Sequence, residues 1–181
     1  MTNPTLGGAR PWRLGARTRK GVLVVHIVSA GVWIGIDVVM AVVIFRALLA
    51  DDDNTKALCF RALELFAVWP LLTAGLVCLA IGVVLGLGTK YGLVRYWWVA
   101  VKLMLNIVLT ALVLIALQPE VSRAAEQGWR FAAGEPASLV VGNLIFPPIV
   151  SPTALLIAVV LAVFKPWGRI RKRPATQQEA P

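Results

Sequence analysis

The sequence predicts an all-α integral membrane protein, with four transmembrane helices in an antiparallel bundle and both termini in the cytoplasm. Of its 181 residues, 59% are hydrophobic and only 15% are charged, whereas about 25% of the residues in a typical soluble domain are charged. The apolar residues gather in four runs, each long enough to cross a hydrocarbon core of about 30 Å as a helix. Lys and Arg are unevenly distributed among the segments that join these runs. Such a composition excludes a soluble enzyme, a disordered chain and a small disulfide-bonded scaffold.

The four apolar runs define the predicted domain organisation. A basic cytoplasmic tail at 1–20 comes before a four-helix transmembrane domain at 21–165, and a second basic tail follows at 166–181. An open strand edge in lipid would leave backbone groups without hydrogen-bond partners, so the Val- and Ile-rich runs are expected to be helices. The predicted spans are 22–45, 65–87, 97–117 and 139–164.

The first span carries two different faces. A basic stretch precedes it, as in a signal sequence, but its apolar run is too long for a signal peptide, so we expect an uncleaved helix. Helical spacing puts His26, Trp33 and Asp37 on one face, together with the neighbouring Ala30 and Met40. The opposite face carries Gly31 and Gly35, a pair that allows another helix to approach closely.

The segment before the second span, 46–64, is expected to be a short outer loop. It contains three consecutive Asp residues, and Asn54 or Thr55 is predicted to cap a helix that continues into the second span. The second span is rich in glycine and includes Gly82 and Gly86, which are most simply explained as a packing device.

The third span carries a polar stripe of Lys102, Asn106 and Thr110, each four residues from the next. The loop that follows, 118–138, is also expected to be short, with Trp129 as an interfacial anchor. In the fourth span, proline residues near Ser151 are expected to bend the helix and free backbone carbonyls.

Depth along the bundle relates these polar residues to one another. His26 and Lys102 each lie about five residues inside their spans, or roughly 7 Å below the inner interface. Asp37, Thr110 and Ser151 are expected nearer the midplane, so the simplest packing is a polar seam that is basic at its inner end. Lys102 could equally snorkel to the interface, His26 could be a satisfied hydrogen-bonding residue, and Asp37 could be protonated, hydrogen-bonded or functional.

Orientation follows from the 18 Lys and Arg residues. The two tails and the loop between the second and third spans share one side of the bundle and hold most of them. Because cytoplasmic segments are enriched in Lys and Arg, both termini are predicted to be cytoplasmic. The residues on that side are Arg10, Arg13, Arg17, Arg19, Lys20, Lys90, Arg95, Lys165, Arg169, Arg171, Lys172 and Arg173; those on the other side are Arg46, Lys56, Arg61, Arg123 and Arg130.

The net charge of +9 is therefore interpreted as topology and as attraction to the anionic lipid of the inner leaflet, and not as nucleic-acid binding. The expected location is the cell (plasma) membrane of a bacterium. A second copy of the chain is predicted as a further partner, in a homodimer that forms through Gly31 and Gly35 or through Gly82 and Gly86. Cys59 is expected near the outer surface, too far in depth from a mid-span cysteine to form a disulfide.

The string from His26 through Trp33 to Gly35, followed by Lys102 near the start of the third span, resembles a superfamily of small four-helix membrane proteins. Members include the HemJ-type protoporphyrinogen oxidase, the membrane domain of CopD-type copper-resistance proteins and several families of unknown function. The chain looks most similar to one of these uncharacterised families. The resemblance covers about residues 20–117.

The resemblance implies a candidate cofactor, haem b or another porphyrin, bound between the first and third spans for a redox role. His26 would then be the axial ligand of the haem iron, Lys102 a second ligand or a propionate partner, and Trp33 a wall of the pocket. The chain has Leu23 and Val113 where the oxidase family has a further Lys and a second His, so whether the protein is an enzyme stays open.

Two other functions compete with haem binding. The first is a non-enzymatic membrane subunit or small permeation protein, in which the polar seam of Asp37, Asn106, Thr110 and Ser151 forms a path. The second is copper handling, for which one His, two Cys and three Met are a sparse supply of ligands.

Overall fold

A computed structural model describes residues 15–88 and 96–164 of the chain, and within these residues the structure consists of helices and helical turns with short irregular segments between some of them, without β-strands. The predicted C-terminal tail lies outside the described residues, as does the predicted N-terminal tail up to residue 14, whereas residues 16–20 belong to α1. The helices are α1 (Ala16–Leu48), α2 (Asp53–Phe66), α3 (Trp69–Leu87), α4 (Trp97–Leu112), a π-helical turn (Val113–Leu117), α5 (Gln118–Ala132), a 3₁₀ turn (Gly142–Ile145) and α6 (Pro147–Phe164).

Four helical segments are long and apolar enough to cross a membrane, as the hydropathy pattern predicts. Two of them are composite, because α2 runs into α3 and α4 continues through the π turn into α5. The segments are Ala16–Leu48, Asp53–Leu87, Trp97–Ala132 and Gly142–Phe164. They support a multi-pass membrane protein with an all-helical bundle.

The helices pack as an antiparallel bundle with α1 and α4 on opposite sides. Both α1 and α4 pack against α3 and against α6, while α2 packs on α1 and on α5. We call the end where α1 ends and α2 begins the distal end, and the opposite end, where α1 begins and α6 ends, the terminal end. The tightly packed core lies in the distal half, around Trp33, Met40, Phe60, Leu63 and Leu71.

The two segments predicted to be short outer loops each contain a helix. A helix that begins near Asn54 and continues into the second span was predicted for the first segment, whereas no helix was predicted for the second. Helix α2 occupies most of 46–64, and α5 occupies most of 118–138. Both carry small or apolar residues at helical spacing, and these faces pack together. The contact is close, since a Cβ added to Gly128 would lie 2.8 Å from the backbone oxygen of Ala57.

Polar contacts join the same pair of helices. The guanidinium carbon of Arg61 lies 3.8 Å from the centre of the Trp129 ring, and Trp129 Nε1 donates to Glu64 Oε2 at 2.9 Å. Helices α2 and α5 thus form a small distal subdomain on the apolar bundle.

The predicted cap of this helix was wrong by a few residues. Asp52 is the N-cap of α2, and its carboxylate accepts a hydrogen bond from the backbone N–H of Thr55 at 2.7 Å. The reason is the extended backbone at Asp52, which directs its side chain over the free N–H groups of the first turn.

The second and fourth predicted spans start later than expected. Between α2 and α3 the helix is interrupted at Ala67 and Val68, and α3 begins at Trp69 with Pro70 in its first turn. The fourth span becomes a long helix only at Pro147. Proline is accepted in the first turn of a helix because the N–H it lacks would have no partner there.

Candidate functional site

The buried face of α1 carries an acid in the middle of the bundle. Trp33 and Asp37 are one helical turn apart and both are buried, and the side chain of Asp37 is 0% exposed. Ser151 of α6 donates from its Oγ to Asp37 Oδ2 at 2.7 Å, and Trp33 Nε1 donates to the same Ser151 Oγ at 3.2 Å. Three predicted site residues are therefore joined in one hydrogen-bonded chain.

The other carboxylate oxygen of Asp37 has no partner. Among the described residues, Asp37 Oδ1 and Arg61 Nε are the buried side-chain polar atoms without a hydrogen bond. The three ion pairs of this part of the chain do not include Asp37. An unpaired buried oxygen is costly, so it marks a position where a further donor is expected.

A cavity of about 440 Å³ borders Asp37 and extends towards the distal end. Its wall is mostly apolar and comes from α1, α3, α4, the π turn, α5 and α6. The polar groups on this wall include Asp37 and Ser151 in the interior, Asn143, and the ion pair between Arg123 and Glu120, whose Nη1 and Oε1 atoms lie 2.7 Å apart. A shallower groove of about 580 Å³ lies on the other side of Asp37, between α1 and α6.

Irregular backbone accompanies the cavity. The π turn at Val113–Leu117 supplies part of the wall, and so does Pro147 at the start of α6. On the α3 side the lining residue Leu71 follows closely after the interruption at Ala67 and Val68. Backbone irregularity at membrane depth is tolerated where it is enclosed by protein or lines a cavity, and π turns are frequent at functional sites.

A second polar cluster lies nearer the terminal end, around the only histidine. In the tautomer with its proton on Nδ1, His26 donates to the backbone oxygen of Cys78 at 3.1 Å, and the sulfur of Cys78 is 3.7 Å from the same nitrogen. The Cys78 thiol also lies beside the side chains of Ser29 and Asn106. A Cβ added to Gly82 would lie 3.3 Å from His26 Cε1, so this glycine lets the imidazole lie against α3.

Lys102 belongs to this second cluster. Its Nζ lies 4.8 Å from the centre of the Trp98 ring, and its charge acts on both the His26 imidazole and the Cys78 thiol. The expectation that His26 and Lys102 lie at one depth stays a prediction.

Trp33 separates the two clusters. Its ring packs so closely against Gly75 of α3 that an added Cβ would lie 2.7 Å from Trp33 Cζ3 and 2.9 Å from Thr110 Oγ1. On the far side of the ring, Thr110 Oγ1 donates to Asn106 Oδ1 at 3.4 Å. The residues of the predicted seam thus lie in two polar clusters, with the indole of Trp33 between them.

The predicted dimer faces differ in their surroundings. A Cβ added to Gly31 or Gly35 would meet nothing within 4 Å, whereas Gly82 faces His26 inside the bundle. The homodimer and the contact with anionic lipid stay predictions.

Several residues of the site were not singled out from the sequence. Gly75 and Gly82 provide the space for Trp33 and His26, and Glu120 and Arg123 supply a polar part of the cavity wall. The proline residues of the fourth span were the available signal for the cavity, but the glycine contacts depend on which helices become neighbours.

Comparison with models of protein families, with curated proteins and with solved structures found no match. The resemblance to HemJ-type and CopD-type proteins therefore stays a hypothesis drawn from the residues. Within the described residues, no group of three or more His, Cys, Asp or Glu side chains is placed to hold a metal ion.

The donor chemistry around His26 fits one axial ligand of a haem. A histidine whose Nδ1–H is held by a backbone carbonyl presents the lone pair of Nε2 to a metal, as metal-ligating histidines commonly do. The two cavities that border Asp37 do not include His26 in their walls. One imidazole nitrogen is thus available as a ligand at His26, while both spaces that border Asp37 lie at the other cluster.

Proposed function

We propose that this chain is a multi-pass protein of the cell membrane with both termini in the cytoplasm, so that the distal end faces outwards. Four helical segments of sufficient length and apolar character support the membrane location. The Lys and Arg residues of the tails and of the loop between the second and third spans support the orientation.

Within that membrane the protein acts as a non-enzymatic permeation protein that passes protons along the polar side chains between Asp37 and His26. The observation that carries this proposal is the fully buried Asp37, which lines a cavity of about 440 Å³ and has one carboxylate oxygen without a hydrogen-bond partner. Ionisable residues inside membrane helices commonly mark ion pathways and proton relays.

The side chains support a path in three steps. From the cavity, Asp37 connects to Ser151 and then to Trp33. Thr110 and Asn106 continue on the other side of the indole. Asn106 lies beside Cys78, which contacts His26 near the terminal end. The ring carbons of the indole cannot exchange protons. A proton can therefore pass Trp33 only if this side chain moves or if water lies beside it.

The test is proton flux in liposomes that contain the purified protein. A potassium gradient with valinomycin drives proton uptake, and an enclosed pH-sensitive dye reports it. Asp37→Asn should reduce the flux to that of empty liposomes, because the amide cannot exchange a proton at this position. Asp51→Asn, a change of the same chemistry at an exposed position of the distal end, should leave it unaltered. Equal flux in wild type and Asp37→Asn would contradict the proposal.

Haem or porphyrin binding at His26 is a second candidate, favoured by the hydrogen bond that fixes His26 against Cys78 O. In this case His26 would hold the iron, Lys102 would lie near a propionate or a second axial position, and the haem would supply redox chemistry. The absorption spectrum of protein expressed with added haem should show a Soret band that is lost in His26→Ala and kept in Asp37→Asn. A spectrum without such a band, or one unchanged in His26→Ala, would overturn this candidate.

A further inference from the structure

The carboxylate of Asp37 requires one more hydrogen-bond donor than the protein provides. Ser151 has a single hydroxyl proton, which it gives to Asp37 Oδ2, and its oxygen accepts from Trp33 Nε1. Asp37 Oδ1 has no partner, and Asp37 lines the cavity. Because the described protein groups leave Oδ1 without a partner, we expect the missing donor to come from a molecule in the cavity.

The rest of the cavity wall favours a ligand in which the donor group is attached to an apolar chain. Much of the wall is formed by aliphatic and aromatic side chains such as Met40, Leu71 and Leu109. A volume of about 440 Å³ lies within the range of pockets that hold small organic ligands. A hard metal ion would need six or more oxygen ligands, whereas the interior of the cavity offers the Asp37 carboxylate and the Ser151 hydroxyl.

The rim of the cavity indicates where the ligand enters. Ile115 and Phe146 line the cavity and are 74% and 58% exposed on the bundle surface, so this part of the rim faces the acyl chains once the bundle is in a membrane. Glu120 and Arg123 form a polar part of the same wall. A molecule that partitions into the membrane interface, with an apolar chain and a polar head, matches both parts.

Charge decides the nature of the polar head. The side-chain cation on the cavity wall, Arg123, is already paired with Glu120 at 2.7 Å. None of the ion pairs between described residues includes Asp37. A buried carboxylate is stabilised by a partner that brings both a positive charge and a hydrogen-bond donor.

We propose that the cavity binds a lipophilic ammonium, an organic cation with at least one N–H and an apolar chain, whose N–H group donates to Asp37 Oδ1. The ligand enters from the lipid side between Ile115 and Phe146. This assignment rests on the proposed role of Asp37 at one end of the permeation path. The ammonium would compete with a proton for the Asp37 carboxylate.

Three probes with the same chain separate the contributions of charge and donor. n-Octylammonium has both, 1-octanol has a neutral donor, and octyltrimethylammonium has the charge without a donor. Isothermal titration of the full chain in one detergent should give saturable binding of n-octylammonium, with the other two probes at least tenfold weaker. Asp37→Asn should weaken n-octylammonium at least tenfold and leave 1-octanol unchanged.

A matched pair of variants tests the place of binding without altering Asp37. Val150 and Val159 both belong to α6 and are 48% and 47% exposed, but Val150 lines the cavity. Val150→Trp should weaken n-octylammonium binding at least fivefold, and Val159→Trp should leave it within twofold of wild type. Thermal unfolding of each variant in the same detergent checks that it is folded.

Other outcomes would overturn the ligand assignment. These are absence of saturable n-octylammonium binding to wild type, equal affinity in wild type and Asp37→Asn, or affinities for 1-octanol or octyltrimethylammonium that match n-octylammonium. Proton flux that depends on Asp37 without ammonium binding would leave the permeation proposal intact. Ammonium binding without proton flux would refute permeation and retain the ligand.

Discussion

Ser151 holds together the polar network at the centre of the bundle. Its hydroxyl donates to Asp37 and accepts from Trp33, and all three side chains are buried. Loss of the middle residue of such a network leaves both neighbouring groups buried without a partner. The free energy lost is then the desolvation cost of those groups, which exceeds the modest net value of one hydrogen bond.

Ser151→Ala should therefore lower the free energy of unfolding in detergent by about 1 to 3 kcal/mol. Thr153→Val is the matched control, since Thr153 is exposed and its hydroxyl donates only within α6, to Ile149 O at 2.7 Å. Chemical denaturation followed by circular dichroism measures both. A Ser151→Ala protein as stable as Thr153→Val would show that the network contributes nothing to folding.

Asp52 makes a pH-dependent contribution to the stability of the distal end. The backbone N–H of Thr55 donates to its carboxylate, and this holds the pKa of Asp52 below its ordinary value of 3.8. A lowered pKa in the folded state means that the cap stabilises the protein above the unfolded pKa and is lost as the pH falls through the folded one.

Asp52→Ala should thus lower the midpoint of thermal unfolding at pH 7, and the difference from wild type should shrink below about pH 4. Asp51→Ala, at the exposed neighbouring residue, should show no such pH-dependent difference. Melting curves at pH 7 and pH 3 give the comparison. A difference that persists undiminished at pH 3 would exclude the charged cap as its cause.

Close approach of α1, α3 and α4 depends on glycine at the contact between them. Gly75 is buried, and Trp33 and Thr110 fill the space where its side chain would be. Trp33 cannot readily turn away, because its indole nitrogen is bound to Ser151. Gly82 likewise leaves space for the His26 ring, although an added Cβ would lie farther from that ring, at 3.3 Å from Cε1. The register of these helices is thus determined by where a large ring meets a glycine.

Gly75→Ala should destabilise the protein by about 1 to 3 kcal/mol, as expected of an overpacked core. Gly31→Ala is the control on α1, where an added Cβ meets nothing within 4 Å, and it should be neutral or stabilising by about 0.5 to 1 kcal/mol. Thermal unfolding in detergent distinguishes them. Equal effects of the two changes would mean that the contact of Trp33 with α3 is not tight in solution.

The whole molecule combines an apolar bundle with the distal pair α2 and α5. Its well-packed core lies in the distal half, and core residues such as Met40, Leu71 and Leu109 form one part of the wall of the cavity at Asp37. This arrangement places the cavity on the side of the membrane that the distribution of Lys and Arg predicts to be outside.

Topology can be tested by cysteine labelling in whole cells. In a background with Cys59 and Cys78 replaced by Ala, Ser122→Cys on the exposed face of α5 should react with a membrane-impermeant maleimide in intact cells. Thr176→Cys in the C-terminal tail should react only after the cells are permeabilised. The opposite pattern would reverse the orientation and would place the cavity on the cytoplasmic side.

Local patterns in the sequence predict much of the fold. Apolar runs of sufficient length predict helices in lipid whatever their neighbours, because every backbone group must find its partner within the segment. For this reason the four crossing segments were correctly expected, and helical spacing correctly placed Trp33, Asp37 and Met40 on one buried face. Helix α5 and its packing on α2 were missed because the small and apolar faces of these two helices are short and gain a role only when they pack on each other.

By itself, the sequence determined the class of protein and the few polar residues within its apolar runs, since both depend on composition and on the 3.6-residue period. Tertiary structure alone decided which of those residues meet. Ser151 reaches Asp37 and Trp33 from a helix more than a hundred residues away in the chain. His26 and Asp37 share one face of α1 but lie in separate clusters, because Trp33 fills the space that Gly75 leaves between them. The unpaired oxygen and its cavity arise from this packing, which no local pattern encodes.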